Sequence, residues 1–460
     1  MKTFQKGEWR RFKEFLQSPY FNKREDLVAF YSYLMTIAPE FSAKKLRKEL
    51  IYQKLYPKQP FQDKQIRYLM NYTLRAAEQF LGQEKMERLG ARENYTLEAL
   101  VDRKLEKHAK RYFEGSTLLH HKTHLKSSEY YYSKYKLSDI ATTYFSNQDL
   151  RKDGGQLAIT SSNLDHFYWF KKLKYSCGML NRQQLFSVEY DLRFAKIIYD
   201  YLNAQDQIAE PIISIYLQIF KMLIHPEQEE HFERLRKLIP RSSEEIPNIE
   251  KQEIYHYAIN YCGSQIKYNN RKEYYANECL NLYLEGIEQE FLFVDGFLSP
   301  WDFKNVVKLG FNLKRYDWTE QFIQDYHRKL ALEFQKDALN YNLADLAYRK
   351  GNYGEAQYHL LLVAYSDVFY TLGAKTMLLK IYYENEEIEP LFSLIASFSI
   401  FIRRNKEISE NFKETYLNFT TILHQIVRAN RKKIPTIIEK INTTETLTNR
   451  SWLLKICQEI

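Results

Sequence analysis

The chain carries 67 Lys and Arg against 58 Asp and Glu over 460 residues, a formal net charge of +9. It has only 14 Gly and 11 Pro, and Pro39, Pro57, Pro211, Pro240, Pro247 and Pro300 fall at expected helix boundaries; this excludes a turn-rich β or collagen-like chain and fits an all-α one. The longest apolar run, Leu391–Ile402, is about 12 residues with serines in it, short of the roughly 20 that span a bilayer.

Residues 1–85 read as a small helical module. Phe12, Phe15 and Leu16 mark a first helix that stops near Ser18-Pro19, and Leu27, Phe30, Tyr31 and Leu34 mark a second. Ser42 is placed to cap a third helix with Leu46, Leu50 and Leu55. Asp63 is placed to cap a long fourth helix whose apolar face is Ile66, Leu69, Met70, Leu74, Ala77 and Leu81. Residues 86–175 are connecting helices, broken by the polar stretch Ser146–Gly155 and restarting at Asn163–Tyr175 with an aromatic face. Helical hairpins are expected over 176–430. Pro211 opens one helix, 240–250 is a loop, and Ile254–Ile266 pairs with Tyr274–Ile287 around Asn269-Asn270. Helices at 410–428 and 435–459 close the chain, with 431–460 as a cap.

The most regular stretch is Asn342–Val363. Leu343, Ala344 and Ala347 lie on a first helix that Gly351 ends; Tyr353 plugs the turn, and Ala356, Leu360 and Val363 face back from a second helix. This resembles the tetratricopeptide pattern of 34-residue helical hairpins, which implies an α-solenoid. Trp318 lies 35 residues before Tyr353 and Ile388 lies 35 after it, so units are expected near 302–336, 337–371 and 372–406, with Gln321 and Leu391 in the place of Ala356. SPYFNK (Ser18–Lys23), YNLADLAYRKGNYGEA and SDVFYTLGAKTMLLKIYYE (Ser366–Glu384) together resemble an uncharacterised group of bacterial helical-repeat proteins. That resemblance implies the fold and brings no activity with it.

Charge is uneven. Residues 1–90 hold a net +8 and 91–175 a net +5, leaving −4 for the rest. On the fourth helix Lys64, Arg67, Asn71 and Arg75 recur opposite the apolar face, with Lys44, Lys45, Arg47 and Lys48 just before, which is how a helix-turn-helix offers basic residues to DNA. The Pro-rich link Tyr56–Gln62 is longer than the turn of that motif. In tetratricopeptide stacks the first helix of each hairpin lines the partner groove. The matching positions here are Tyr341, Asp345, Tyr348 and Arg349, with Val306, Leu313 and Lys314 one unit earlier. Asn342 falls near one position of a peptide-carboxylate clamp, but the lysines that clamp needs are missing.

No catalytic, metal or cofactor-binding residue is expected. GxxxxGK[ST], GxGxxG and GxSxG do not occur, and Glu229/Glu233 and Glu244/Glu245 read as solvated faces. Cys177 is close to Asp165 and His166 only in sequence, and an enzyme would need a site within Asp165–Tyr175. His120 and His124 in HHKTH share a helix face but lack a third ligand and a general-base Glu. The 38 tyrosines are expected at half-exposed seams between helices. Cys177, Cys262, Cys279 and Cys457 form no CxxC and fit reduced thiols, and the N-terminus has no secretory pattern, so the expected compartment is the cytoplasm. The sequence thus predicts a non-enzymatic protein- or peptide-binding scaffold. The alternative is a regulator with a nucleic-acid-binding N-terminal module and a partner-sensing repeat domain.

Overall fold

A computed structural model describes the chain except residues 1, 2, 39, 89, 90, 123, 124, 149–154, 186, 187, 206, 207, 209, 242, 243, 364–367 and 460. The described residues are almost wholly helical: α1 (Lys6–Gln17), α2 (Glu25–Thr36), α3 (Lys48–Leu55), α4 (Asp63–Arg88), α5 (Ala91–Asp102), α6 (Glu106–Lys122), α7 (Ser128–Gln148), α8 (Gln156–Leu185), α9 (Ala195–Asn203), α10 (Pro211–Ile224), α11 (Glu229–Arg241), α12 (Asn248–Tyr268) and α13 (Lys272–Glu288). A two-residue hairpin, β1 (Phe293–Val294) and β2 (Phe297–Leu298), precedes α14 (Pro300–Asn312), α15 (Tyr316–Tyr326), α16 (Leu332–Arg349), α17 (Tyr353–Leu362), α18 (Val368–Glu384), α19 (Ile388–Arg404), α20 (Glu410–Val427), α21 (Ile434–Thr443) and α22 (Arg450–Gln458). Contacts divide the chain into one unit of residues 1–175 and 200–213 and another of 176–199 and 214–460, the division falling within α8, α9 and α10.

The N-terminal core of the first unit is aromatic. Phe12 is fully buried, with ring centroids 5.4 Å from Phe4, 5.2 Å from Phe80 and 5.8 Å from Tyr31. SPYFNK is the turn between α1 and α2. Asn22 Nδ2 donates to the Leu16 and Arg24 carbonyls at 2.7 and 2.9 Å, and Asn22 Oδ1 accepts from the Arg24 amide at 2.9 Å. One side chain thus satisfies three backbone groups that a tight turn would leave unpaired.

Two expectations for this module need correction. The third helix begins at Lys48; Ser42 starts a turn, its carbonyl accepting from the Lys45 and Leu46 amides. On α4 the buried face is Ile66, Leu69, Thr73, Ala76, Ala77 and Phe80, while Met70, Leu74 and Leu81 are exposed. Thr73 stays in the core because its hydroxyl donates to the Leu69 carbonyl at 2.8 Å, so a polar residue there costs little.

In the second unit, hairpin turns recur with one geometry. At the ends of α14, α16 and α18 a residue adopts the left-handed region: Lys314 (φ 56°), Gly351 (φ 80°) and Glu386 (φ 58°). The next amide in each case (Arg315, Asn352, Glu387) donates back to Gly310, Ala347 and Tyr382 at 2.8–2.9 Å, and the left-handed residue's own amide bonds Phe311, Tyr348 and Tyr383. This is the Schellman closure, which satisfies carbonyls a helix end leaves orphaned. Four residues after the turn comes a fully buried side chain: Thr319, Ala356 and Leu391.

The α12–α13 turn has the same length. There the helix-opening residue is Arg271, and the buried one four later is Tyr275. The helix-opening residues Arg271, Arg315, Asn352 and Glu387 are therefore 44, 37 and 35 residues apart. The expected 35-residue register holds between the last two hairpins only. The counterpart of Tyr353 is Tyr316, two residues before Trp318, and the counterpart of Ala356 is Thr319 rather than Gln321. Tyr353 is half-buried, its ring 5.5 Å from Tyr348.

The strand pair β1–β2 was not foreseen. Asp295 (φ 52°) and Gly296 (φ 82°) form its two-residue turn, a Asp-Gly signal flanked by Phe293-Val294 and Phe297-Leu298. The expected closing helix 435–459 is divided into α21 and α22, with Asn449 left-handed (φ 53°) at the break. Phe419, Ile441, Leu453 and Ile456 are fully buried among α20–α22.

Candidate functional site

Counting from the helix-opening residues places equivalent positions on the first helices of successive hairpins. Tyr341, Asp345, Tyr348 and Arg349 of α16 correspond to Lys304, Lys308, Phe311 and Asn312 of α14, and to Thr376, Lys380, Tyr383 and Glu384 of α18. On α12 the first three become Asn260, Ser264 and Lys267. Val306, Leu313 and Lys314 do not belong to this face. Val306 is fully buried on the stripe Asp302, Phe303, Val306, Val307 and Gly310 that packs inward. Leu313 and Lys314 form the α14–α15 turn. The lysines that do occupy the face were missed because Trp318 stood in for Tyr316 and shifted the register by two.

Between α14, α16 and α18 these positions contact one another. Lys304 Nζ lies 5.3 Å from the Tyr341 ring and 5.6 Å from Tyr370. The Arg349 guanidinium lies 4.7 Å from the Phe311 ring and donates to Asp345 Oδ1 at 2.8 Å. Lys380 Nζ lies 4.4 Å from Tyr348 and 5.7 Å from Trp452. Trp452 Nε1 donates to Glu384 at 2.9 Å, tying α22 to α18. Each cation thus sits over an aromatic of a neighbouring helix. Burial lowers the pKa of Lys380 and raises those of the Tyr341 and Tyr348 phenols. Gly373 admits the Tyr341 ring: a Cβ there would lie 2.7 Å from its hydroxyl.

Between α12 and α14 the same face opens into a cavity of about 730 Å³. Its polar wall is Asn260, Ser264 and Lys267 from α12 and Asn305, Lys308 and Asn312 from α14, with Asn181 at the end of α8. Asn260 Nδ2 donates to Asn181 Oδ1 at 3.3 Å, and Asn305 Nδ2 to the Tyr283 hydroxyl at 3.0 Å. A second cavity of about 590 Å³ lies beside Arg236. There Arg236 reaches Glu278 at 3.1 Å and Glu285 at 2.7 and 2.9 Å, and the Tyr255 hydroxyl donates to Glu285 at 3.0 Å. Burial pushes the Glu285 carboxyl up, but the Arg236 hydrogen bonds and charge outweigh it and hold it below the usual range. Arg236 thus holds both carboxylates and fastens α11 to α13.

The four basic-module residues Lys64, Arg67, Asn71 and Arg75 are all exposed on α4. Asp63 neutralises part of the patch, accepting from Lys48 at 3.0 Å and meeting Arg67 at 2.8 Å. Arg47 lies 3.8 Å from Glu49. The side chains of His120, His121 and His124 lie outside the described residues, and among those described no group of three His, Cys, Asp or Glu is placed to hold a metal.

All four cysteines are buried and free; Cys177 donates to the Tyr216 carbonyl at 3.5 Å. His166 has Glu210 3.9 Å from Nδ1, and the Tyr131 hydroxyl donates to the same carboxylate at 2.6 Å. No helix among the described residues is long and apolar enough to cross a membrane. No protein-family model, curated protein or solved structure matches the chain.

Proposed function

We propose that the chain is a non-enzymatic scaffold of the helical-repeat type, working in the cytoplasm, that binds a protein or peptide along the first helices of the hairpins in its second unit. One observation carries the reading. Equivalent positions on α14, α16 and α18 come from a turn of one geometry, and a turn of the same length extends them to α12, so a single row of side chains recurs from hairpin to hairpin. Stacked hairpins that present one such row bind extended partners along it, and the fold itself names no chemistry.

The test is photo-crosslinking in the native host from single benzoylphenylalanine substitutions. Lys308 and Asn312 lie on the first-helix row, whereas Tyr358 and Leu361 are exposed on the second helix α17. Crosslinked protein from the first pair alone supports the reading. Crosslinks from α17 alone, or equally from both, refute it.

A second reading rests on α4, where Lys64, Asn71 and Arg75 are exposed: the module binds nucleic acid and the repeats sense a partner. Duplex DNA binding whose affinity falls steeply with salt, and is lost in Lys64→Ala/Arg67→Ala/Arg75→Ala, supports it. Binding that is absent at 50 mM salt removes it.

A further inference from the structure

We propose that the cavity between α12 and α14 binds an acidic peptide segment in extended conformation, its main chain paired by asparagine amides and its carboxylates by Lys267 and Lys308. This deepens the scaffold reading and rests on it. Four observations lead there. First, the cavity falls on the row of equivalent positions, since Asn260, Ser264, Lys267, Lys308 and Asn312 all belong to that row and all line it. Second, the same row is closed elsewhere. Between α14, α16 and α18, long cations lie over aromatic rings of the next helix, whereas Asn and Ser are too short to bridge α12 and α14.

Third, the wall has one sign of charge: its described lining residues include two lysines and no carboxylate. An anion entering it meets attraction without the like-charge penalty that the Arg236 cavity, lined by Glu233, Glu278 and Glu285, would impose. Fourth, four side-chain amides line the cavity, Asn181, Asn260, Asn305 and Asn312. A primary amide offers both a donor and an acceptor, the complement of a peptide group, whose N–H and C=O must both be paired on leaving water.

The spacing fits. Asn305 to Asn312 and Asn260 to Lys267 each span two helical turns, about 10 Å at roughly 1.5 Å per residue, the length of about three residues of extended chain at roughly 3.3 Å each. A nucleotide fits less well. The described lining offers Tyr283 as its aromatic, and that ring is buried with its hydroxyl engaged by Asn305.

The experiment selects dodecapeptides from a random phage-displayed library on the immobilised full-length chain. The enriched sequences are then titrated, as fluorescein-labelled peptides, against wild type, Lys308→Glu, Asn305→Ala and Asn312→Ala. All three positions are exposed, and unchanged circular dichroism verifies that the variants fold. Enriched peptides should carry Asp or Glu and lose affinity at least about tenfold with Lys308→Glu, the scale of one charge-assisted hydrogen bond. Each Asn→Ala change should weaken binding several-fold.

Neutral or basic peptides, or acidic ones that bind Lys308→Glu as well as wild type, overturn the inference while leaving the scaffold reading standing. Failure to enrich any peptide also overturns it, and crosslinking from the first-helix row then decides the scaffold reading by itself. A fluorescein-labelled dodecanucleotide that binds wild type and loses affinity with Lys308→Glu overturns the peptide assignment in favour of nucleic acid.

Discussion

Gly310 of α14 packs directly against α15, and Gly310→Ala tests the hairpin geometry. A Cβ built there would lie 2.2 Å from Thr319 Oγ1, 3.2 Å from the Trp318 ring and 3.3 Å from Thr319 Cβ. Thr319 is fully buried and its hydroxyl donates to the Arg315 carbonyl at 2.7 Å, so it cannot turn aside without breaking that bond. Overpacking of this kind costs about 1–3 kcal/mol, and loss of the hydroxyl bond adds about 1 kcal/mol. Against this, alanine gains about 1 kcal/mol over glycine inside a helix. The net expectation is a destabilisation of about 2 kcal/mol, read as a melting shift of roughly 2–4 °C by circular dichroism. The next hairpin carries Ala347 and Ala356 at these two positions, so Gly310→Ala/Thr319→Ala installs a pair the fold already uses. The double variant should recover most of the loss. If Gly310→Ala alone is as stable as wild type, or more stable, the close approach and the register built on it are wrong.

Gly351→Ala should cost about 1 kcal/mol because its φ of 80° suits glycine, while Lys314→Gly and Glu386→Gly at the same turn position should each stabilise by about 0.5–1 kcal/mol in urea unfolding. Arg236→Ala should destabilise by about 2 kcal/mol, since Glu278 and Glu285 would keep their charges in a half-buried site without a partner. Glu285 titrates lower folded than unfolded, so its contribution is complete above the unfolded value near 4.5 and is lost as the pH falls through the folded value; Arg236→Ala should flatten that acid limb of stability against pH. The four thiols should resist Ellman's reagent in the native protein and react in urea, because burial pushes Cys279 up to about 12 and raises the other three as well. Rapid native labelling of any of them would show that its neighbourhood opens.

Helices were legible because sparse Gly and Pro mark their ends, and the α16–α17 hairpin was legible because glycine occupies its left-handed position. The flanking hairpins hide the same turn behind Lys314 and Glu386, residues that do not announce a positive φ. Trp318 then looked like the plug that Tyr316 is, and the groove positions slid onto buried Val306 and the turn residues Leu313 and Lys314. On α4, Met70, Leu74 and Leu81 read as core by residue type, yet Thr73, Ala76 and Phe80 fill that face, because small residues and a self-bonded threonine allow closer packing. Many described tyrosines are half-exposed, as expected, but some lie deeper. Tyr216 is fully buried with its hydroxyl 2.6 Å from Glu250, and Tyr131 meets Glu210 at 2.6 Å, pairings between distant parts of the sequence that no local pattern encodes. The α12–α14 cavity was out of reach for the same reason, since its asparagines are scattered over three helices.

Constant turns with unequal intervals have a consequence for how this chain tolerates change. The three residues that join the two helices of a hairpin are fixed, while the intervals of 44, 37 and 35 residues between helix-opening residues vary. The longest of these contains β1–β2, an appendage inserted where one hairpin hands over to the next. Length is thus gained and lost at the joints and in the helices, and spared at the three-residue turns. Grafts and fusions should follow the same rule: an extra segment belongs at Asp295-Gly296, and a hairpin is exchanged whole, cut by its opening residues and never by a fixed count.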